Sequence, residues 1–183
     1  MRSHNGGLPI RVRMNLRALA FVALTALGGG AAHAAEVVCL GASYVQGWGV
    51  APNEAFPAQL EAMLHAKGIN VAVANAGVSG DTTAEVLARF DSAVDASTRV
   101  LVMGAGPLND RRHGYTPQES KANQDQILAK ARARGIKVVD ALRLFSKLPD
   151  SARQGDSFRH PNAEGDRILA AELLPLVIAA LRK

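Results

Sequence analysis

Four short apolar runs, Val37–Leu40, Val71–Ala74, Val100–Met103 and Lys137–Asp140, punctuate the chain, with helical periodicity between them. Runs this short read as strands, and strands that alternate with amphipathic helices build a parallel sheet covered on both faces. The helices announce themselves by their ends. One is predicted over Phe56–Lys67, with Phe56, Leu60, Met63 and Leu64 on one face and Gly68 as its stop. The next starts near Thr82, where Thr82 and Glu85 have capping-box spacing, and turns Val86, Leu87 and Phe90 inward. Thr116-Pro117-Gln118-Glu119 opens a third with a cap, a proline at the first position and a Glu three residues after the Thr; Arg134 and Gly135 end it. The last, Ala163–Leu181, carries Ile168, Leu169, Leu173 and Leu176, and Pro175 is the expected point of a kink. The expected fold is α/β: a single three-layer α/β/α sandwich with a parallel sheet of four to five strands. No repeat, low-complexity linker or second domain interrupts it.

Composition narrows the function. With 48% apolar and 20% charged residues the chain is an ordinary globular protein, which excludes disordered, collagenous and coiled-coil readings. One cysteine, Cys39, excludes a disulfide framework or a cysteine zinc site and reads as a small core side chain. The net charge of +5 suggests nucleic-acid binding until its location is considered. Residues 1–34 hold Arg2, Arg11, Arg13 and Arg17 and no acid, which leaves 17 basic and 16 acidic side chains for the rest. The remainder is nearly neutral, so nucleic acid is not an expected partner. The leader itself has a basic start, an apolar run from Ala18 to Leu27, and Ala32-His33-Ala34 as a cleavage site. Residues 1–34 therefore read as a secretory signal, with Met14 an alternative start, and 35–183 as the mature domain. That apolar run is about half of the ~20 residues that span a bilayer, so no stable membrane anchor is expected. A leader of this kind implies a periplasmic or secreted mature protein.

In parallel sheets, ligands meet the loops that leave the carboxyl ends of the strands. Here these are Gly41–Trp48, Asn75–Asp81 and Gly104–Tyr115, joined by the segment before the last helix. They carry Gly41-Ala42-Ser43-Tyr44, Asn75-Ala76-Gly77-Val78-Ser79-Gly80-Asp81, Asn109-Asp110, and Asp156-Ser157-Phe158-Arg159-His160-Pro161-Asn162. Each alone is turn chemistry. The second lacks the Gly-Lys-Ser/Thr ending of a phosphate loop, and Gly-x-Ser-x-Gly is absent. No cluster has metal-ligand spacing, and no cofactor is expected.

Together the four segments resemble the four blocks of the SGNH (GDSL-type) hydrolases, closest to the bacterial acyl-CoA thioesterase I, lysophospholipase and arylesterase branch. The resemblance covers the chain from Val37 to the final helix. It implies a flavodoxin-like sheet, Ser43 as nucleophile, His160 as base, and an oxyanion hole of the Ser43 N–H, the Gly77 N–H and the Asn109 side-chain amide. Three positions depart from the family pattern. Ala42 replaces the Asp of Gly-Asp-Ser, Gly106-Pro107-Leu108-Asn109-Asp110 is one residue longer than Gly-x-Asn-Asp, and the acid stands four residues before His160 rather than three. Asp156 and Ser157 are thus both candidates to orient His160. A helical turn over Asp156–His160 is expected to favour Asp156, because side chains four apart then share a face. The function implied is an exported serine esterase acting on carboxylic or thioesters of small or lipid-like substrates, without cofactor or metal. The alternatives are a non-catalytic domain that binds an acylated ligand, and a carbohydrate O-acetylesterase. Arg111, Arg112 and His113 either favour an anionic substrate or form a solvated loop.

Overall fold

The computed structural model describes residues 35–182; residues 1–34, which the sequence analysis reads as a secretory signal cleaved after Ala34, lie outside the described residues. Four parallel strands, β1 (Val37–Gly41), β2 (Val73–Gly77), β3 (Val100–Gly104) and β4 (Lys137–Asp140), form one sheet in the order β2-β1-β3-β4. This is the doubly wound arrangement expected. Successive side chains of a strand face opposite ways, and the two faces fill two cores. Val37, Cys39, Val100 and Val102 pack on one side against helices α2 (Phe56–Ala66), α7 (Leu142–Lys147) and α8 (Ala163–Leu181). Val38, Leu40, Leu101 and Met103 pack on the other against α3 (Thr83–Ala88), α4 (Phe90–Ala93) and α6 (Pro117–Ala133). Because β1 and β3 are covered on both faces, all their residues are buried, which explains their unbroken apolar runs.

The helix starts follow their caps. Thr82 and Thr116 each accept from the backbone N–H three residues on, and Glu85 and Glu119 reach back to the cap N–H. The last helix runs unbroken across Pro175. The carbonyl that Pro175 deprives of its usual helical partner belongs to Ala171, an exposed residue. The buried seam of α8 is Leu169, Leu173, Val177 and Leu181, a spacing of four; Leu176 falls off it and is 47% exposed.

Three expectations are corrected. Strand β2 lies at Val73–Gly77 rather than Val71–Ala74, because β1 continues to Gly41 and pairs Cys39, Leu40 and Gly41 with Asn75, Ala76 and Gly77. As an edge strand it is only half-buried, so small and polar residues suffice. The Gly104–Tyr115 segment is not all loop: it contains α5 (Leu108–Arg112). Likewise the first loop turns at once into the single-turn α1 (Ser43–Gln46).

In this strand order the chain leaves β1 and β3 toward opposite faces, which opens a crevice beyond their carboxyl ends. Gly41 and Gly104 pair there, and a Cβ on Gly41 would stand 2.8 Å from the Gly104 carbonyl. The two strand ends therefore approach as only glycine allows, and Ser43 follows directly.

Candidate active site

Ser43 is the first residue of α1, at the mouth of that crevice. Its N–H belongs to the first helical turn, whose amides have no acceptor within the helix. Its hydroxyl lies 2.8 Å from Nε2 of His160, a residue from the far end of the sequence.

His160 is 3% exposed and is held on every side. Its Nδ1 lies 2.5 Å from Asp156 Oδ2, and its backbone N–H donates to Asp156 Oδ1 at 2.9 Å. The segment turns here: Arg159 N–H donates to the Asp156 carbonyl at 3.0 Å, and Arg159 takes a left-handed φ of 55°. That conformation is uncommon outside glycine, and it folds the Asp156 carboxylate back onto the ring four residues on. Ser157 is exposed, and the acid that faces the ring is Asp156. Burial acts to raise the Asp156 carboxyl, but the hydrogen bonds from the His160 ring and backbone outweigh it and hold the group below its ordinary range. An ionised carboxylate only accepts, so Nδ1 carries the ring proton and Nε2 is left to accept from the Ser43 hydroxyl.

Aromatic rings complete the housing. Tyr44 and Phe158 lie 5.0 and 5.4 Å from the imidazole, and Trp48, 53% exposed, lies at 6.3 Å. The Tyr44 hydroxyl donates to the Phe158 carbonyl, and the Arg112 guanidinium sits 3.8 Å over the Phe158 ring. Helices α1 and α5 thus both grip the loop that carries His160.

Asn109 lies on α5, and its amide Nδ2 donates to the Asp81 carbonyl at 2.9 Å. That bond uses one of its two amide hydrogens. The neighbouring Asp110 is fully buried and accepts from the Thr83 N–H at 2.7 Å and the Thr83 hydroxyl at 2.5 Å, which pins α5 to the start of α3. Asp110 was unassigned by the sequence, although its place beside Asn109 was a signal. Asn109 and Ser43 together line a cavity of about 310 Å³ with Tyr44, Leu108, Leu142 and Phe145.

Gly77, whose N–H is expected in the oxyanion hole, has that N–H engaged within its own turn. Its N–H donates to Asn75 Oδ1 at 3.0 Å, so that donor is already committed. Its glycine identity has a steric cause, since a Cβ there would lie 2.2 Å from the Gln46 backbone nitrogen. The other amides of the turn are also engaged: Val78 with the Gly41 carbonyl, Ser79 with Gln46 Oε1, Asp81 with the Val78 carbonyl. Among the described residues, the Gly80 N–H is the one amide of this turn with no acceptor in the protein, and Gly80 holds a φ of +90°.

The Asp missing at position 42 leaves no gap in the scaffold. Arg89 donates to the Gly41 carbonyl at 2.8 Å and the Ala76 carbonyl at 2.9 Å, and pairs with Asp81 at 2.6 Å, which ties the ends of β1 and β2 together. Among the described residues no group of three or more His, Cys, Asp or Glu side chains stands at metal-binding distance.

This constellation of strand-end serine, histidine and acid can be set beside known proteins. The profile of the GDSL-like lipase/acylhydrolase family matches residues 39–163. The chain belongs to that family. Its curated relatives include an arylesterase of Vibrio mimicus, 28% identical over 124 residues, and Esterase TesA of Pseudomonas aeruginosa, 32% identical over 108 residues. These matches cover 68% and 59% of this chain, and 62% and 54% of the relatives' own lengths. Among solved structures, that of a TesA superposes with a TM-score of 0.68 at 22% identity, over 79% of this chain and 98% of the other. The GDSL-like fold also aligns with AlinE4, an SGNH-hydrolase family esterase, at a TM-score of 0.54 and 28% identity, over 81% and 97% of the two chains.

Proposed function

We propose that this GDSL-like protein is an exported serine esterase that cleaves carboxylic or thioesters of small or lipid-like substrates through an acyl-enzyme on Ser43. The observation that carries the reading is the 2.8 Å approach of His160 Nε2 to the Ser43 hydroxyl, with Asp156 behind the ring. Names borne by its relatives, an arylesterase and an esterase, support the same reaction class.

In this mechanism the Ser43 oxygen attacks the ester carbonyl carbon while His160 Nε2 takes its proton. The imidazolium that results is favoured by Asp156, which also fixes the tautomer. The carbonyl oxygen becomes an oxyanion held by the Ser43 N–H and the Asn109 amide, and each such donor contributes roughly 3–4 kcal/mol in other serine hydrolases. The Gly80 N–H takes the third place first assigned to Gly77. Collapse of the tetrahedral intermediate breaks the bond to the alcohol oxygen, which leaves with the proton from His160. Water, activated by the same imidazole, then attacks the acyl-enzyme and releases the acid and the free serine.

Export rests on the leader pattern of residues 1–34. A product in the periplasmic fraction whose mass begins at Ala35 supports it, and full-length chain confined to the cytoplasm contradicts it. No helix among the described residues is long and apolar enough to cross a membrane. Hydrolysis of p-nitrophenyl butyrate by the wild type, lost in a folded Ser43→Ala variant, tests the reaction; equal turnover by that variant removes Ser43 as nucleophile.

A further inference from the structure

The cavity beside Ser43 has a chemical bias that the ester reaction alone does not require. Its charged lining consists of two arginines, Arg111 and Arg153, and no acid. Arg153 is half-buried, and its guanidinium donates to the carbonyls of Phe145 at 2.6 Å, Leu148 at 3.2 Å and Arg159 at 3.1 Å. Those partners are neutral, so its charge meets no carboxylate. Arg111 projects from α5 with no acid partner among the described residues. The nearby acids are occupied elsewhere: Asp81 with Arg89, Asp156 with His160, and Asp110 buried against Thr83. Two unpaired cations at a small cavity with apolar walls raise its potential and favour an anion.

The geometry also says which half of an ester enters. The leaving alcohol takes its proton from His160 Nε2, so it lies on the side of His160, Trp48 and Phe158. None of these three lines the cavity, whereas Ser43 and Asn109 both do. The cavity therefore receives the acyl group. At about 310 Å³ it holds roughly ten water-sized groups, enough for a short acyl chain but not a long one.

We propose that the acyl group accepted here carries a carboxylate at its far end, so that the preferred substrates are half-esters of short dicarboxylic acids. The inference rests on the esterase reading above and goes beyond it to the substrate. Leu108, Leu142 and Phe145 cover the methylenes, and Arg111 and Arg153 meet the terminal charge.

The test compares monoethyl adipate with ethyl hexanoate, and monoethyl glutarate with ethyl pentanoate, following acid release. These pairs match in acyl length and differ in charge. The wild type should favour the charged member by about tenfold in kcat/KM, the scale of one charge-assisted contact. Added salt should shrink that ratio. Arg111→Gln should bring it toward unity and Arg111→Glu should reverse it, with thermal melts showing that both variants fold. A wild-type ratio of one or below, or a ratio indifferent to both substitutions, overturns the inference. So does hydrolysis of p-nitrophenyl butyrate with none of the four esters. Failure on all five esters overturns the esterase reading itself.

Discussion

Asp156 holds His160 at two points, accepting the ring Nδ1 at 2.5 Å and the backbone N–H at 2.9 Å. A carboxylate bonded to both ring and main chain fixes the rotation of the imidazole as well as its tautomer. The four-residue spacing, one longer than the family pattern, is accommodated by the left-handed Arg159 between them. Arg159 is held in turn by Asp150, its salt-bridge partner at 2.5 Å.

From this arrangement Asp156→Asn should lower kcat by about 10⁴, by analogy with other triads in which the amide favours the wrong tautomer. Ser157, exposed and without a hydrogen bond to the ring, should be nearly silent: Ser157→Ala should cost less than about tenfold on the same reasoning. Steady-state kinetics of both variants on one ester near neutral pH, with circular dichroism for folding, checks this. A larger loss in Ser157→Ala makes Asp156 a turn residue only.

Asn109→Ala should lower kcat by about 10²–10³ with little change in KM, because an oxyanion donor acts mainly in the transition state. Asp110, which remains bonded to Thr83, should keep α5 in place in that variant. An unchanged kcat means that Asn109 serves only to hold the Asp81 carbonyl.

Asp166 presents a different chemistry. It is 1% exposed in the first turns of α8, and neither of its oxygens makes a hydrogen bond of ordinary geometry. Burial pushes its carboxyl from 3.8 up to about 7, with Glu54 adding to the effect and the Phe56 amide offsetting it in part. Below about pH 4 the group is protonated in folded and unfolded chains alike. Between there and about pH 7 the unfolded chain ionises first, so stability falls by up to roughly 1.4 kcal/mol per pH unit, then levels off. Asp166→Asn removes that loss. Its melting temperature should exceed the wild type's at pH 8 and converge with it near pH 4. Parallel pH profiles for the two proteins contradict a raised Asp166.

What the sequence disclosed depended on whether a feature was local. β1 and β3 were legible because burial on both faces demands continuous apolar residues, and Thr82 and Thr116 because a capping box is a contact within four residues. Strand β2 was misplaced because its outer half, Asn75-Ala76-Gly77, is strand only through the ladder that β1 offers it. Helix α5 was missed because it is anchored from outside, by Asp110 on Thr83. Arg89 gave no signal at all, since the carbonyls it joins, Gly41 and Ala76, are far from it in sequence. Gly77 was named from the sequence without sight of its N–H bond to Asn75, two residues back, or of the long-range bonds to Gln46 and Gly41 that engage its neighbours and leave the Gly80 amide free.

The central claim is that His160 activates Ser43, and labelling with a fluorophosphonate tests it most directly, because the probe phosphonylates a serine only where its hydroxyl is activated. Intact mass and peptide mapping of the purified domain should show one adduct, on Ser43, absent from Ser43→Ala and strongly slowed in His160→Ala. A folded wild type that takes up no probe, or one labelled equally well after Ser43→Ala, contradicts the account.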